Sequence, residues 1–343
     1  MFSEHAYRAA REHAALIDRS ERGRVIVSGA DRRSYLHALL TNDVAGLGPG
    51  QGCYAAYLTP QGRMIADLFV YEVGDVILLV VPRVVQDAVL ARLDQFIFSE
   101  DVGLADVTGT FTDIAVVGPE AGMMAARVLD GTPADALDAL PEHGNLRTTF
   151  AGQPAIATRI TDAGQPGCGI YVDQTCAAPL KAALEAAGAV SMDPRTADVI
   201  RIEAGVALFG RDMDADTIPL EAGIESRAIS FTKGCYVGQE VIIRILHRGG
   251  GRVSRKLVGL ELDAVSPPPP AGTPVRADER DVGHVTSSAW SPRRQRAIAL
   301  AYVQRDFVAP GTVVSVDGRG GVVAALPFVS SAMSSTSAGG NGS

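Results

Sequence analysis

The sequence predicts an α+β fold with two lobes, in each of which helices pack on a mostly antiparallel sheet, and a C-terminal antiparallel β-barrel. Three observations support this. Strand-like runs alternate with helical periods over the first hundred residues. A second unit of the same kind runs to about residue 190, and beyond residue 252 the chain has only short alternating runs separated by glycine and proline. A chain of 343 residues usually forms more than one domain.

The first lobe is predicted from strand and turn signals. Thr59-Pro60-Gln61-Gly62 is a turn, with proline pre-set at the second position and glycine at the fourth. Helices are expected after Asp31 and after Pro82, where apolar residues recur at helical spacing. The predicted strands are Val25–Val27, Tyr54–Leu58, Met64–Tyr71 and Val76–Val81.

The rest of the chain divides at composition changes. Candidate strands at Ala115–Val117 and Ile170–Val172, with a helix at Pro179–Ala187, indicate the second lobe. Gly249-Gly250-Gly251 breaks the pattern before the barrel. The residues from about 330 are rich in serine, glycine and alanine, which is typical of disorder. The predicted domains are therefore 1–110, 111–190, 191–250 (completing the core), 252–329 (the barrel) and 330–343 (a disordered tail).

Composition excludes several classes of function. The 31 basic and 39 acidic residues give a formal charge of −8, which argues against a general nucleic-acid-coating role. The four cysteines form no CxxC pair, so neither a zinc ribbon nor a self-contained iron–sulfur site is expected, and no metal ligand set is predicted. No apolar run approaches the roughly 18–20 residues that span a bilayer. We expect a cytoplasmic protein with reduced thiols and no membrane partner.

The most informative segment is the octapeptide Lys233-Gly234-Cys235-Tyr236-Val237-Gly238-Gln239-Glu240, called here the signature. Its glycines permit a tight turn and a close approach to a ligand. A lysine beside a cysteine favours the reactive thiolate, and Gln239 and Glu240 add groups suited to a polar ligand. The alternative, a glycine-rich turn whose cysteine fills a gap, is equally compatible with the spacing.

The signature resembles that of the YgfZ family of folate-binding proteins, which are bacterial relatives of the glycine-cleavage T-protein, an aminomethyltransferase. Further matching segments follow in family order from about Val25 to Phe328. They are Ser28–Asp31, Leu40–Val44, Arg201–Gly205, Leu208–Asp212, Ile218–Gly223, Gly283–Ser287 and Ser291-Pro292. The resemblance implies a three-lobed ring, two α+β lobes and a C-terminal barrel, around a cavity that receives tetrahydrofolate.

Asp67 is the candidate acid–base residue of that cavity. It lies within a predicted apolar strand, where an ionised carboxylate is costly unless it is paired or faces a cavity. The alternative is a strand-end aspartate satisfied by backbone amides. By resemblance, Asp67 matches the T-protein carboxylate near the folate N5 and N10 atoms. The same resemblance gives the predicted folate-binding set, which is Asp67, Gln165, Arg201, Glu203 and Phe209.

Two members of this set, Arg201 and Gln165, can also be interpreted in another way. Arg201 resembles a T-protein arginine that contacts folate, although a surface ion pair would also explain it. Gln165, in Gly164-Gln165-Pro166-Gly167, stands where T-proteins carry a glutamate that holds the pterin amino groups. Glutamine keeps one acceptor and loses the charge, which makes aminomethyl transfer from a lipoyl-bound donor less expected.

The sequence hypothesis is a tetrahydrofolate-binding protein that supports assembly or repair of iron–sulfur enzymes, with Cys235 as its reactive or cluster-contacting thiol and iron–sulfur clients or scaffolds as partners. Enzymatic turnover is left open, with a non-enzymatic role preferred. The main alternative is a tetrahydrofolate-dependent aminomethyltransferase or related one-carbon enzyme. A third is a tRNA-modification factor that binds through a basic segment, which could equally be a solvated loop edge or contact the folate glutamate. This segment contains Arg244, Arg248, Arg252, Arg255 and Lys256.

Overall fold

The computed structural model of the protein describes residues 1–248, 250–263 and 267–330. The predicted α+β class is confirmed, with antiparallel sheets and a closed C-terminal barrel. Beyond Ser330, the predicted disordered tail lies outside the described residues.

The first lobe contains a five-stranded antiparallel sheet in the order β3-β4-β5-β2-β6. One face is covered by α2 and α3, whose residues Leu36, Val89 and Leu93 share a core with Val25 and Val70 of the sheet. The predicted hairpin is confirmed as β3 and β4. The elements are β2 (Gly23–Ser28), α2 (Arg32–Leu39), β3 (Gly52–Leu58), β4 (Met64–Glu72), β5 (Ile77–Val81), a 3₁₀ turn (Arg83–Val85), α3 (Gln86–Asp94) and β6 (Gly103–Asp106).

The second lobe contains a six-stranded sheet in the order β11-β1-β7-β10-β9-β8, antiparallel except for the β1–β11 pair. Because β1 pairs with β7, the N-terminal segment joins this sheet, and the pairing crosses the predicted boundary at residue 110. The elements are α1 (Glu4–Glu12), β1 (Ala15–Asp18), β7 (Phe111–Val117), α4 (Ala121–Val128), α5 (Ala134–Asp138), β8 (Asn145–Phe150), β9 (Gln153–Ile160), β10 (Gly167–Asp173), a 3₁₀ turn (Gln174–Cys176), α6 (Ala177–Ala186) and β11 (Val190–Ser191).

The segment between the second lobe and the barrel is largely helical. Asp193 caps its first helix, α7, by accepting hydrogen bonds from the backbone amides of Arg195 and Thr196, and Pro194 occupies the first turn, where no amide partner is lost. The helices are α7 (Pro194–Glu203), α8 (Pro219–Ala222), α9 (Glu225–Ala228) and α10 (Gln239–Arg248).

The C-terminal barrel closes through the order β12-β15-β14-β13-β16-β17, with β12 paired to both β15 and β17. Alternate side chains such as Leu260, Ala299 and Val316 fill its interior, as the short alternating runs predict. The strands are β12 (Arg255–Leu262), β13 (Pro274–Ala277), β14 (Arg280–Ser291), β15 (Arg296–Gln304), β16 (Val313–Val316) and β17 (Arg319–Ala324), with a 3₁₀ turn at Arg305–Phe307.

The two lobes meet across an aromatic layer. Tyr54, Phe69 and Tyr71 of the first sheet share a core with Tyr171 of the second, and the Tyr71 and Tyr171 ring centroids lie 6.3 Å apart. At Gly52 the lobes approach so closely that an added Cβ would lie 2.4 Å from the carbonyl oxygen of His143. This aromatic layer holds the candidate site.

Candidate functional site

Asp67 lies on β4 within the aromatic layer. Because side chains alternate along a strand, Asp67 shares a face with Phe69 and Tyr71 and is only 8% exposed. The Tyr54 hydroxyl donates a hydrogen bond to its Oδ2 at 2.8 Å. Burial raises the pKa of Asp67, although the Tyr54 hydrogen bond and the Arg22 charge oppose that shift. The Asp67 carboxyl group therefore keeps its proton up to a higher pH than an ordinary aspartate does.

An arginine–carboxylate network adjoins Asp67. Arg19 donates two hydrogen bonds to Asp162, at 3.0 and 2.9 Å, and Arg22 lies 3.0 Å from the same carboxylate. Burial alone would raise the pKa of Asp162, but the two guanidinium groups outweigh it and lower the pKa to about 2. Arg19 also lies 3.5 Å from the fully buried Asp113. The network holds fixed charges beside the titratable Asp67.

Two further side chains line the Asp67 region, and no motif in the sequence predicted either of them. The His143 ring lies 5.3 Å from the Phe69 ring and 6.5 Å from the Tyr54 ring. The Arg227 guanidinium lies over the Tyr54 ring, 5.4 Å from its centroid. Arg22 covers Phe69 in the same way, at 5.1 Å. Together they form a cationic and aromatic wall around the Tyr54–Asp67 pair.

Residues of this wall border two cavities. One cavity of ≈ 560 Å³ is lined by Arg19, Arg22 and Asp162 together with Arg201 and Leu208, among others. The second, of ≈ 290 Å³, is lined by Arg227, Thr161 and Gln165, among others. The turn at residues 161–166 separates them, since its members face one cavity or the other. Volumes of this order suit a drug-sized or smaller ligand.

The residues around Asp67 are called here the Asp67 cluster: Arg19, Arg22, Tyr54, Asp67, His143, Asp162 and Arg227. Arg201 and Phe209 both lie close to this cluster. Arg201 lines the larger cavity, yet its guanidinium is already engaged by Asp198 at 2.6 Å, Asp212 at 2.7 Å and the Ser287 hydroxyl at 2.7 Å. It therefore also joins α7 to the barrel. Phe209 is buried in the same aromatic layer as Tyr54 and Phe69. Their predicted contact with folate remains a prediction.

Gln165 borders the smaller cavity but directs its amide at the backbone. Its Nε2 donates to the Gly164 carbonyl oxygen at 2.7 Å, and the side chain is buried. Gly164 adopts φ +82°, and an added Cβ there would lie 2.7 Å from the Ile200 carbonyl oxygen, so the turn requires glycine. The position thus faces the cavity without the charge of a carboxylate.

Glu203 has different partners from the rest of the predicted set. The Tyr7 hydroxyl donates its one proton to this carboxylate and lies 2.9 and 2.7 Å from its two oxygens, and Glu203 is also bound by Arg11 and by the Ser291 hydroxyl. These contacts connect α1, α7 and the barrel. With its oxygen atoms so engaged and no exposure, Glu203 is positioned as a structural junction, and its predicted role in folate binding is untested.

The signature is anchored to the first lobe through Lys233. The Lys233 ammonium donates to three carbonyl oxygens at the C-terminal end of α2 and just beyond it, those of His37, of Leu40 at 2.7 Å and of Asn42 at 2.9 Å. Lysine commonly caps helix C-termini in this way. Burial lowers the pKa of Lys233 to about 8. Its hydrogen bonds therefore stabilise the loop and are not directed at the neighbouring thiol.

Cys235 is exposed and Tyr236 is buried. Gly238 adopts φ +86°, and an added Cβ would lie 2.5 Å from the Thr59 carbonyl oxygen, so the signature packs against the β3–β4 turn. Gly234 precedes the thiol, while Gln239 and Glu240 begin α10. Neither Cys235 nor Asp67 is among the residues that line these two cavities, which adjoin the Asp67 region through Arg22 and Arg227.

The basic segment does not form one continuous surface. Arg255 pairs with Glu221 at 3.2 Å and stacks on Tyr302, whereas Arg252 and Lys256 line a separate cavity of ≈ 400 Å³. Within the described ranges there is no cluster of histidine, cysteine and carboxylate side chains suited to a metal ion. The helices that are described there are also too short or too polar to cross a membrane.

Comparison with known proteins identifies the family. The sequence matches the GCVT N-terminal domain over residues 2–233, which is more than half of the chain. It matches the glycine cleavage T-protein C-terminal barrel domain over residues 255–332. The chain belongs to the glycine cleavage T-protein family. The T-protein part of the predicted resemblance is thereby confirmed, and the finer YgfZ assignment stays a prediction.

Relatives within the T-protein family cover most of the chain. An aminomethyltransferase of Rubrobacter xylanophilus is 35% identical over 297 residues, covering 87% of this chain and 78% of the relative. An aminomethyltransferase of Streptomyces avermitilis is 35% identical over 335 residues, covering 93% and 87%. The crystal structure of the glycine cleavage system aminomethyltransferase T from Bartonella henselae superposes with a TM-score of 0.85 at 25% identity, covering 95% and 89%. Aminomethyltransferases of this family use tetrahydrofolate, the cofactor predicted from the sequence.

Proposed function

We propose that the protein is a tetrahydrofolate-dependent one-carbon transferase of the aminomethyltransferase type. The observation that carries this proposal is Asp67, a buried carboxyl group with a raised pKa that accepts a hydrogen bond from Tyr54, inside a wall whose Arg22 and Arg227 line the two cavities. Perturbed carboxyl groups beside cavities are candidates for acid–base roles. The family relation favours this function over the iron–sulfur hypothesis, because the curated relatives named above are aminomethyltransferases.

The residues present fit a reduced folate. Tyr54 and Phe69 offer aromatic faces for a flat heterocycle, and His143 adds a buried ring nitrogen without a hydrogen-bond partner. Arg227 and Gln165 line the adjoining cavity. A bound tetrahydrofolate would supply the nitrogen atoms that carry the one-carbon unit.

Each residue of the cluster has a distinct task in this proposal. Asp67 holds or exchanges a proton at its Oδ atoms, and the Tyr54 hydroxyl orients that carboxyl group. Asp162 stays ionised between Arg19 and Arg22, so the charge next to Asp67 does not change over the physiological pH range. Burial between the lobes lowers the water content around Asp67 and strengthens these interactions.

Turnover with purified protein, tetrahydrofolate and an aminomethyl donor tests the proposal. Asp67→Asn keeps the shape and an acceptor for Tyr54 but removes the exchangeable proton, so the rate should fall by about 100-fold or more. Cys235→Ala is the control and should retain the wild-type rate. Absence of turnover in the wild type with every donor tried, or a fully active Asp67→Asn variant, would contradict the proposal.

A second function is supported by one observation, the exposure of Cys235 in the signature. An accessible thiol there suits the YgfZ-type role of supporting iron–sulfur enzymes. In a deletion strain, this role requires that Cys235→Ala abolish rescue of iron–sulfur enzyme activity while Asp67→Asn rescues. The two functions therefore predict opposite sensitivities for the same pair of variants.

A further inference from the structure

His143 combines three features that are unusual together. It adopts φ +61°, a left-handed backbone conformation that is uncommon outside glycine. Its side chain is only 8% exposed, and its Nδ1 is buried without a hydrogen-bond partner. Strained backbone and unpaired buried polar atoms both cost free energy, and both are concentrated at functional sites. No motif in the sequence predicted a role for this residue.

The proton position on His143 follows from its neighbours. Nε2 lies 3.5 Å from Oε1 of Glu142, and a carboxylate only accepts hydrogen bonds, so Nε2 carries the proton. Burial lowers the pKa of His143 and keeps the ring neutral, while Glu142 and Asp162 act in the opposite direction and Arg227 in the same one. A neutral ring protonated at Nε2 leaves Nδ1 as an acceptor.

The His143 ring lies beside the Asp67 region and near the smaller cavity. His143 packs against Phe69 and Tyr54, the residues that flank Asp67. Its backbone amide donates to the carbonyl oxygen of Arg159, a residue that lines the smaller cavity. Arg227 lies over Tyr54 as the exposed part of this wall and lines the smaller cavity together with Arg159.

We propose that Nδ1 of His143 accepts a hydrogen bond from an N–H group of the ligand that binds against Tyr54 and Phe69. The ligand class is a flat heterocycle rich in N–H donors, such as a reduced pterin, and in this respect the inference rests on the proposed function. The acceptor complements Gln165, whose amide is turned to the Gly164 carbonyl oxygen. His143 is a ligand-binding residue in this account and takes no proton during the reaction.

Equilibrium binding of tetrahydrofolate to the full-length protein tests the inference without any turnover. His143→Leu removes the acceptor at similar size and should weaken binding about tenfold. His143→Asn places an amide oxygen near the position of Nδ1 and tolerates positive φ, so it should bind within about threefold of the wild type. His284→Leu is the control, because His284 likewise lies beside a tyrosine ring but is half-buried and lies in the barrel.

A pH series adds a readout that packing alone would not change. Protonation turns Nδ1 into a donor. The affinity of the wild type for tetrahydrofolate should therefore decrease as the pH is lowered below about 6.5, the ordinary pKa of histidine, and the affinity of the His143→Asn variant should decrease less. Asp67 is present in both proteins and cancels in the comparison. This comparison decides the matter even where His143→Leu is too unstable to assay.

The outcomes separate the inference from the proposed function. Failure of the wild type to bind tetrahydrofolate overturns both. Wild-type binding with an equally tight His143→Leu variant overturns the inference alone. An Asn variant as weak as the Leu variant, with melting temperatures like the wild type, also overturns it, because the ring and not its acceptor would then matter.

Discussion

The Asp67 cluster and the signature loop are the two chemically suggestive regions of the molecule, and they differ in construction. The cluster is buried and draws on both lobes, with Tyr54 and Asp67 from the first and Asp162 from the second. The signature is one continuous segment with an exposed thiol, anchored by the Lys233 hydrogen bonds and by the packing of Gly238 against the β3–β4 turn. The cluster therefore holds its polar side chains in fixed positions, whereas the loop exposes its thiol to solvent. A short motif can be the clearest sequence signal without being the most organised site.

The largest expected difference concerns stability. Asp162→Asn should destabilise the fold by about 3 kcal/mol or more, because it leaves Arg19 and Arg22 buried without their shared carboxylate. Urea denaturation measures this. Asp281→Asn is the control, since its ion pair with Arg276 is exposed and should be worth less than about 1 kcal/mol. Equal effects of the two variants would show that the cluster is not the rigid region described here.

Acid titration sharpens the same contrast. The pKa of Asp162 is about 2 in the folded protein, below its value of about 3.9 in an unfolded chain. The folded state therefore binds this proton less readily, and stability present above about pH 4 is lost as the pH falls toward 2. The loss should be roughly 2–3 kcal/mol in the wild type. Asp162→Asn should show a shallower decline, and parallel curves would contradict the assignment.

The signature loop should respond more weakly. Lys233→Met removes the donor for three carbonyl oxygens and should cost about 1–2 kcal/mol. Because burial lowers the folded pKa to about 8, the unfolded chain holds the proton more tightly between about pH 8 and 10.5. Wild-type stability contributed by this group therefore rises with pH over that window. Lys181→Met removes an exposed ion pair with Asp18 and is the control. It should change neither the free energy of unfolding nor its pH dependence by much.

Local patterns predicted the β3–β4 hairpin that carries Tyr54 and Asp67, but not how the cluster assembles. The turn at Thr59–Gly62 and the alternation around Asp67 were enough to predict the β3–β4 hairpin and to single out the carboxylate. The remaining members lie far apart in sequence and meet only because β1 joins the second sheet and the lobes pack face to face. Local periodicity carries no information about such pairings. The residues found only in the structure are Arg19, Arg22, His143, Asp162 and Arg227.

Glu203 shows that a residue found by family resemblance can have a different role from the expected one. The family resemblance placed it in the folate-binding set, but its partners Tyr7 and Ser291 lie almost two hundred residues before it and about ninety residues after it. A motif shared with a family identifies a residue as important without saying whether it contacts ligand or joins domains. For Glu203 the hydrogen bonds favour the second role.

The smallest expected effect is that of Cys235→Ala, and it tests the exposed character of the loop. An exposed side chain away from the packed core should change stability by less than about 0.5 kcal/mol. Brief alkylation of the native protein, followed by mass spectrometry, should modify Cys235 first and leave Cys168 intact until unfolding, because burial raises the pKa of Cys168 to about 12. Cys53, whose pKa burial also raises to about 12, should behave like Cys168. Preferential labelling of either buried thiol would mean that the loop shields Cys235, and the second proposed function would then lose its support.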